Sequence, residues 1–162
     1  MSETFVYVTY LKTTPEKLWR ALTDGDFSAK YWSGFRVQSD WKTGSPIAVR
    51  NPGFMEGKGD IVGTVLACDP PRLLTYTFEN AADPFAGRRQ GPSRVTYELE
   101  LVGDLVKLTL THENLILEDL GPKALTMRGV NNGWPAIMCG LKSLVETGEA
   151  LDFEPFMSEF KR

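Results

Sequence analysis

The sequence has few of the residues on which metal, redox and many catalytic sites depend. It contains one histidine and two cysteines among 162 residues. Because transition-metal sites usually draw several ligands from these two residue types, we expect no metal, and nothing in the sequence calls for another cofactor. With no secretion signal at the N-terminus, we expect Cys68 and Cys139 to be reduced and buried rather than joined in a disulfide.

A large excess of one charge and long apolar runs are also missing. Lys and Arg number 18 and Asp and Glu number 21, which gives a net charge of -3. The basic residues are scattered among the acidic ones and form no basic stripe, so we expect no nucleic-acid partner. No apolar run approaches the roughly 20 residues of a membrane-spanning helix. We therefore expect a cytoplasmic protein with no membrane span.

The usual catalytic motifs are absent as well. The sequence has no Gly-x-Ser-x-Gly nucleophile elbow and no phosphate-binding loop. We interpret Arg88 and Arg89, which lie in a long polar segment at residues 81–92, as exposed side chains of a mobile hairpin loop. The remaining candidates for acid-base chemistry are weak and consist of His112 and Tyr76. These absences favour a protein that is not an enzyme.

One long amphipathic helix is predicted over residues 133–151. Six large apolar residues recur there at helical spacing: Trp134, Ile137, Met138, Leu141, Leu144 and Val145. Gly148 follows the last of them, where a left-handed residue typically ends a helix. Because Pro135 removes a helical hydrogen bond, we expect a kink or a fresh start near residues 131–134. A shorter helix is predicted from Gly121 through Met127.

Most of the remaining chain is predicted to form antiparallel strands. Aromatic and β-branched residues between turn residues indicate strands over residues 5–11, 35–39, 46–50, 58–68, 73–80, 94–102 and 105–114. Thr14 and Asp24 are typical N-caps for two short helices that follow the first strand. In the last strand Val106, Leu108 and Leu110 share one face with His112, so the imidazole should point inward. An inward histidine is either a hydrogen-bonded core residue, which we favour, or a ligand-binding group or general base.

Several short segments, in this order, resemble one protein family. They are Phe5-Val6-Tyr7-Val8-Thr9-Tyr10, Pro15-Glu16-Lys17-Leu18-Trp19, Ala21-Leu22-Thr23-Asp24, Tyr31-Trp32, Ser39-Asp40-Trp41-Lys42, Asp69-Pro70-Pro71-Arg72-Leu73, Pro92-Ser93-Arg94-Val95-Thr96, Leu110-Thr111-His112-Glu113 and Gly133-Trp134-Pro135. Together they resemble the heat-shock-protein-90 ATPase activator C-terminal-domain-like branch of the START-like (SRPBCC) superfamily. The chain departs from this pattern at Gly25, where the branch often has proline.

The resemblance implies an α+β helix-grip fold, the START-like fold also seen in the birch pollen allergen. In that fold a curved antiparallel sheet of about seven strands wraps around a long C-terminal helix, and two short helices follow the first strand. We expect residues 1–162 to form a single START-like domain with its core over residues 4–151 and a tail over residues 152–162.

The same resemblance implies a cavity between the sheet and the last helix that binds a hydrophobic or amphipathic small molecule. The candidate ligand-binding residues are Trp32, Phe35, Trp41, Tyr76, His112, Trp134, Met138 and Leu141. These side chains instead fill an ordinary core if the facing surfaces meet. Two other functions stay open: a co-chaperone-like protein-interaction module, or a cyclase, dehydratase or hydrolase that uses His112 and Tyr76. A homodimer through residues 115–120 or 153–160 is a further expectation.

Overall fold

The computed structural model describes residues 2–80, 82–123 and 128–157. Four helices lie in this part of the chain: α1 (Pro15–Thr23), α2 (Gly25–Tyr31), α3 (Val130–Thr147) and α4 (Glu154–Met157). Its strands are β1 (Glu3–Leu11), β2 (Arg36–Ser39), β3 (Pro46–Arg50), β4 (Ile61–Asp69), β5 (Leu73–Asn80), β6 (Ser93–Val102) and β7 (Leu105–Leu115).

The two short helices begin at the predicted caps. The Thr14 hydroxyl accepts a hydrogen bond from the Lys17 backbone N–H at 3.3 Å, with Pro15 at the first helical position. The Asp24 carboxylate accepts one from the Asp26 N–H at 2.8 Å. Each cap satisfies a backbone donor that the first helical turn leaves without a partner, so both starts are encoded locally.

The strands form one antiparallel sheet in the order β1-β7-β6-β5-β4-β3-β2. The first and last strands pair directly, and Phe5 lies opposite His112. The structure begins β4 at Ile61, three residues later than predicted from Lys58. Lys58 has helical backbone angles and the Asp60 N–H bonds to the Gly57 carbonyl at 3.0 Å, so residues 57–60 form a turn and not the start of a strand.

Helix α3 lies against the concave face of this sheet and confirms the helix-grip fold. It buries Trp134, Met138, Leu141 and Leu144. The helix starts at Val130, which leaves Pro135 inside it. It ends as predicted, because Gly148 has a φ of 86° and its N–H bonds to the Leu144 carbonyl at 2.8 Å.

The cysteines differ from the prediction. Both cysteines are free, but neither is buried: Cys68 is half-buried and Cys139 is exposed on α3, with its Sγ 3.7 Å from the Tyr7 hydroxyl. The predicted helix from Gly121 to Met127 lies partly outside the described residues. In the described ranges, no helix combines the length and apolar character needed to cross a bilayer.

Candidate functional site

A cavity of about 430 Å³ lies between the N-terminal half of α3 and the ends of strands β5, β6 and β7. Its apolar wall is formed by Trp32, Ile61, Phe78, Leu115, Val130, Trp134 and Ile137. A second cavity of about 400 Å³ shares Trp32, Gly133 and Ile137 with the first and extends to Phe35 and Phe54. The facing side chains of helix and sheet therefore do not meet at this end of the core, and space remains between them.

His112 is the buried polar centre of the first cavity's wall. It is 1% exposed, and the Trp134 indole Nε1–H donates to its Nδ1 at 3.0 Å. Its Nε2 lies 2.9 Å from the Ser93 hydroxyl, which in turn donates to the Phe78 carbonyl at 2.6 Å. An indole is only a donor, so Nδ1 must accept and Nε2 must carry the proton that it donates to Ser93. Every donor in this chain of hydrogen bonds has an acceptor.

The environment of His112 keeps the imidazole neutral. Burial, with a smaller effect of the nearby Arg89 guanidinium, lowers the pKa of His112 from 6.5 to about 3. The ring has no free lone pair, since Nδ1 already accepts from Trp134 and Nε2 is protonated. The inward orientation predicted from the strand alternation is confirmed. The bonding resembles that of a satisfied core histidine, not that of a general base.

This arrangement predicts a pH-dependent stability that one residue controls. Because the native pKa of His112 lies below the unfolded value, the native state is stable above pH 6.5 and loses stability as the pH falls toward 3. Between about pH 7.5 and about pH 5, we expect the free energy of unfolding to fall by about 2 kcal/mol through this group. Urea unfolding at a series of pH values measures the change.

A His112→Gln variant provides the control, because His112 is the only histidine in the chain. The variant should show a pH dependence that is flatter by about that amount over the same range, in which few carboxylates titrate. Equal pH dependence in the two proteins would show that His112 does not titrate differently on folding.

Aromatic rings surround the His112 network. The Phe78 ring centroid is 4.8 Å from that of His112, and the Trp32 centroid is 5.3 Å from that of Trp134, both in edge-to-face geometry. Such contacts hold rings at defined angles. This part of the cavity wall is therefore an aromatic surface in which the polar atoms of His112, Ser93 and Trp134 are already paired.

The opposite wall of the cavity is ionic. Arg89 donates to the carboxylates of Asp83 and Asp119, including Nε to Asp119 Oδ2 at 3.1 Å. All three side chains are nearly buried, and that of Arg89 is only 10% exposed. The expectation that Arg89 is exposed is wrong, because this pair of contacts ties the β5–β6 connection to the segment after β7. Arg88 is exposed as predicted and pairs with Glu118.

Four of the eight predicted ligand-binding residues line the two cavities: Trp32, Phe35, His112 and Trp134. The other four, Trp41, Tyr76, Met138 and Leu141, are not in either lining. Met138 and Leu141 are buried one and two helical turns beyond Trp134. The Tyr76 hydroxyl lies 3.4 Å from that of Tyr97, and burial raises the pKa of Tyr76 well above its usual range.

Sequence reasoning missed several lining residues. Phe78 has the same strand parity as the buried Leu74 and Tyr76, so the alternation along β5 identifies it. Ile137 belongs to the apolar stripe of α3 but was not assigned to the site. Asp83 and Asp119 carry no local signal, because only the fold brings them to Arg89. In the described part of the chain, no group of three His, Cys, Asp or Glu side chains is placed to hold a metal.

The antiparallel sheet and the long C-terminal helix that it grips define a START-like helix-grip protein. The sequence comparison then gives the family. A model of the Activator of Hsp90 ATPase homolog 1-like proteins matches residues 12–146, and the chain belongs to this family. A comparison with curated proteins finds no significant match.

Solved structures agree with the fold. The Aha1 dimer from Colwellia psychrerythraea is 21% identical, with a TM-score of 0.69 over 91% of this chain and 99% of its own. Protein MLL2253 from Mesorhizobium loti is 24% identical, with a TM-score of 0.69 over 88% and 96%. PFC0360w, an HSP90 activator from Plasmodium falciparum, is 23% identical, with a TM-score of 0.56 over 70% and 74%. At these identities the likeness is one of fold.

Proposed function

We propose that this protein binds a hydrophobic or amphipathic small molecule in the space between the sheet and α3. The observation that carries the proposal is the pair of adjoining cavities, of about 430 and 400 Å³, each within the range of small-molecule sites. Apart from Asn80, the residues that line both cavities are apolar or glycine, and the ionic wall around Arg89 belongs to the first cavity alone. A ligand with an apolar body and a polar end matches this lining.

Ile137 offers the sharpest test, because it lines both cavities. In an Ile137→Trp variant the larger side chain should fill the shared space and weaken binding of the apolar dye Nile red at least tenfold. Native mass spectrometry of the protein purified from cells should also show a small molecule on the wild type and not on the variant. Overpacking costs about 1–3 kcal/mol, so the variant's thermal unfolding is measured first.

Leu101→Trp provides a matched control, since Leu101 is an exposed residue near the end of β6 and lines neither cavity. Unchanged dye affinity is expected there. Equal binding by the Ile137 variant and the wild type would place the ligand elsewhere, and a wild-type protein that binds no dye and carries no molecule would contradict the proposal.

A second proposed function is protein interaction. The family model and the described HSP90 activator among the structural relatives favour a co-chaperone-like module that acts in the cytoplasm. Adding the purified protein to an Hsp90-type chaperone should raise its ATPase rate. No stimulation at a saturating concentration would count against this function.

Self-association is part of the same proposal, because one relative is described as a dimer. Of the segments expected to mediate it, Leu115 is buried, Leu117 is exposed, and the second segment, residues 153–160, is only partly described. The positions of His112 and Tyr76 do not favour an enzymatic function. Both nitrogens of the His112 ring are already hydrogen-bonded, and Tyr76 lies outside both cavities.

A further inference from the structure

The two edge strands of the sheet, β1 and β2, differ in length and in the residues that they expose. Strand β2 is four residues long and exposes Arg36 and Gln38, which are features that discourage edge-to-edge pairing. Strand β1, at the other edge, is nine residues long and has no proline and no lysine. No described strand pairs with its outer side.

Apart from Thr4, the outward side chains of β1 are apolar or aromatic. Val6, Val8 and Tyr10 are 54%, 45% and 47% exposed, whereas their sheet neighbours on β7 are Thr111, Thr109 and Lys107. A long, apolar edge strand is a template for pairing with another chain unless something covers it. No described strand covers the outer side of β1 in this way.

The backbone of β1 shows which groups are available at this edge. In an antiparallel ladder, both the N–H and the C=O of alternate residues point to the same neighbouring strand. The Lys142 ammonium donates to the Tyr10 carbonyl at 2.7 Å, and the Lys12 N–H donates to Glu146 at 2.9 Å. The backbone N–H and C=O groups of the even-numbered residues therefore point away from β7. Helix α3 therefore caps the C-terminal end of the edge, and no described residue bonds to the outward backbone groups of Thr4, Val6 and Val8.

We propose that a second copy of this chain pairs with β1 in antiparallel orientation about a two-fold axis at Val6. This register uses the open groups alone: Val6 faces Val6 of the other copy, and Thr4 faces Val8. On the concave side Phe5 would lie opposite Tyr7, an aromatic cross-strand pair of the kind that stabilises sheets. A two-fold contact needs a self-complementary surface, and β1 provides one.

Charge supports a second copy as the partner. The only charged residue in β1 is Glu3, which in this register faces Thr9 of the other copy, so no like charges oppose each other. A strand that paired with the whole of β1 would have to displace the Lys142 contact with Tyr10. The proposal rests on the self-association proposed above and identifies its surface.

The test is the oligomeric state of the full chain measured by sedimentation velocity over a range of concentrations. The wild type should be a dimer. In a Val6→Lys variant two ammonium groups would meet at the axis, and we expect dimerisation to weaken at least tenfold. The matched control is Leu66→Lys, since Leu66 is an outward residue of β4 with 42% exposure, far from this edge. This control should dimerise as the wild type does.

Amide hydrogen exchange gives a second readout. In the dimer the amides of Thr4, Val6 and Val8 should become protected as the concentration rises, while those of Phe5 and Tyr7 are protected throughout. A dimer that the Val6 variant leaves intact would overturn the β1 surface but not self-association. A monomeric wild type would overturn both, and protection of the even-numbered amides independent of concentration would assign the edge to the chain's own residues instead. None of these results bears on Nile red binding, so the cavity proposal is tested separately.

Discussion

Replacing Arg89 by methionine should lower the free energy of unfolding by about 3–5 kcal/mol, the usual effect of breaking a buried ion pair. The substitution keeps an unbranched apolar stem but leaves the Asp83 and Asp119 carboxylates without their guanidinium. Both carboxylates are nearly buried, so water replaces the lost donors only in part. Urea unfolding at neutral pH measures the loss.

The adjacent residue provides a matched control. Arg88 forms an ion pair with Glu118, but its side chain is 61% exposed, so Arg88→Met should change stability by less than about 1 kcal/mol. In the Arg89→Met background, Asp83→Asn and Asp119→Asn together should recover most of the loss, because they remove the unpaired charges. If Arg88→Met and Arg89→Met cost the same, the ionic wall does not hold the β5–β6 connection in place.

Replacing Trp134 by alanine should destabilise the protein by about 3–5 kcal/mol. The indole is buried, packs edge-to-face on Trp32 and donates the hydrogen bond that satisfies His112 Nδ1. Its removal enlarges a space that is already partly empty and leaves a buried acceptor without a partner. Thermal and urea unfolding measure the change.

Trp134→Phe separates the two contributions. Phenylalanine keeps most of the ring packing but has no N–H, so a loss of about 1–3 kcal/mol would report the unpaired Nδ1 of His112. In a His112→Leu background the same substitution should lower the free energy of unfolding by less, because the buried acceptor His112 Nδ1 is no longer present. Identical costs in the two backgrounds would mean that the hydrogen bond contributes nothing to stability, and the His112 network would then be an incidental contact.

Most of the fold could be predicted because its signals are local. The helix starts at Thr14 and Asp24, the end at Gly148 and the inward direction of His112 all follow from short-range backbone rules and strand periodicity. The start of β4 was predicted three residues too early, since the turn before it continues to Asp60, whose N–H bonds to the Gly57 carbonyl.

The candidate site was only partly predictable. Large aromatic residues were expected to line a ligand-binding cavity, which stays a prediction; Trp32, Phe35 and Trp134 lie around the two spaces at the N-terminal end of α3. Tyr76 and Met138 are equally large, yet they are packed into the core away from both cavities. Size and apolar character are the same in the two groups, so composition cannot separate a lining residue from a core residue.

The sequence by itself determined the order of elements, the apolar face of the last helix and the resemblance to the family, because caps, periodicity and short motifs are properties of neighbouring residues. Only the tertiary structure decided that a space remains between helix and sheet near Trp134 and that Arg89 is buried between Asp83 and Asp119. It also decided that no described strand pairs with the outer side of β1. The physical reason is the same in each case. Cavities, buried ion pairs and sheet edges depend on contacts between segments that are far apart in the sequence. A local sequence pattern does not contain information about such contacts.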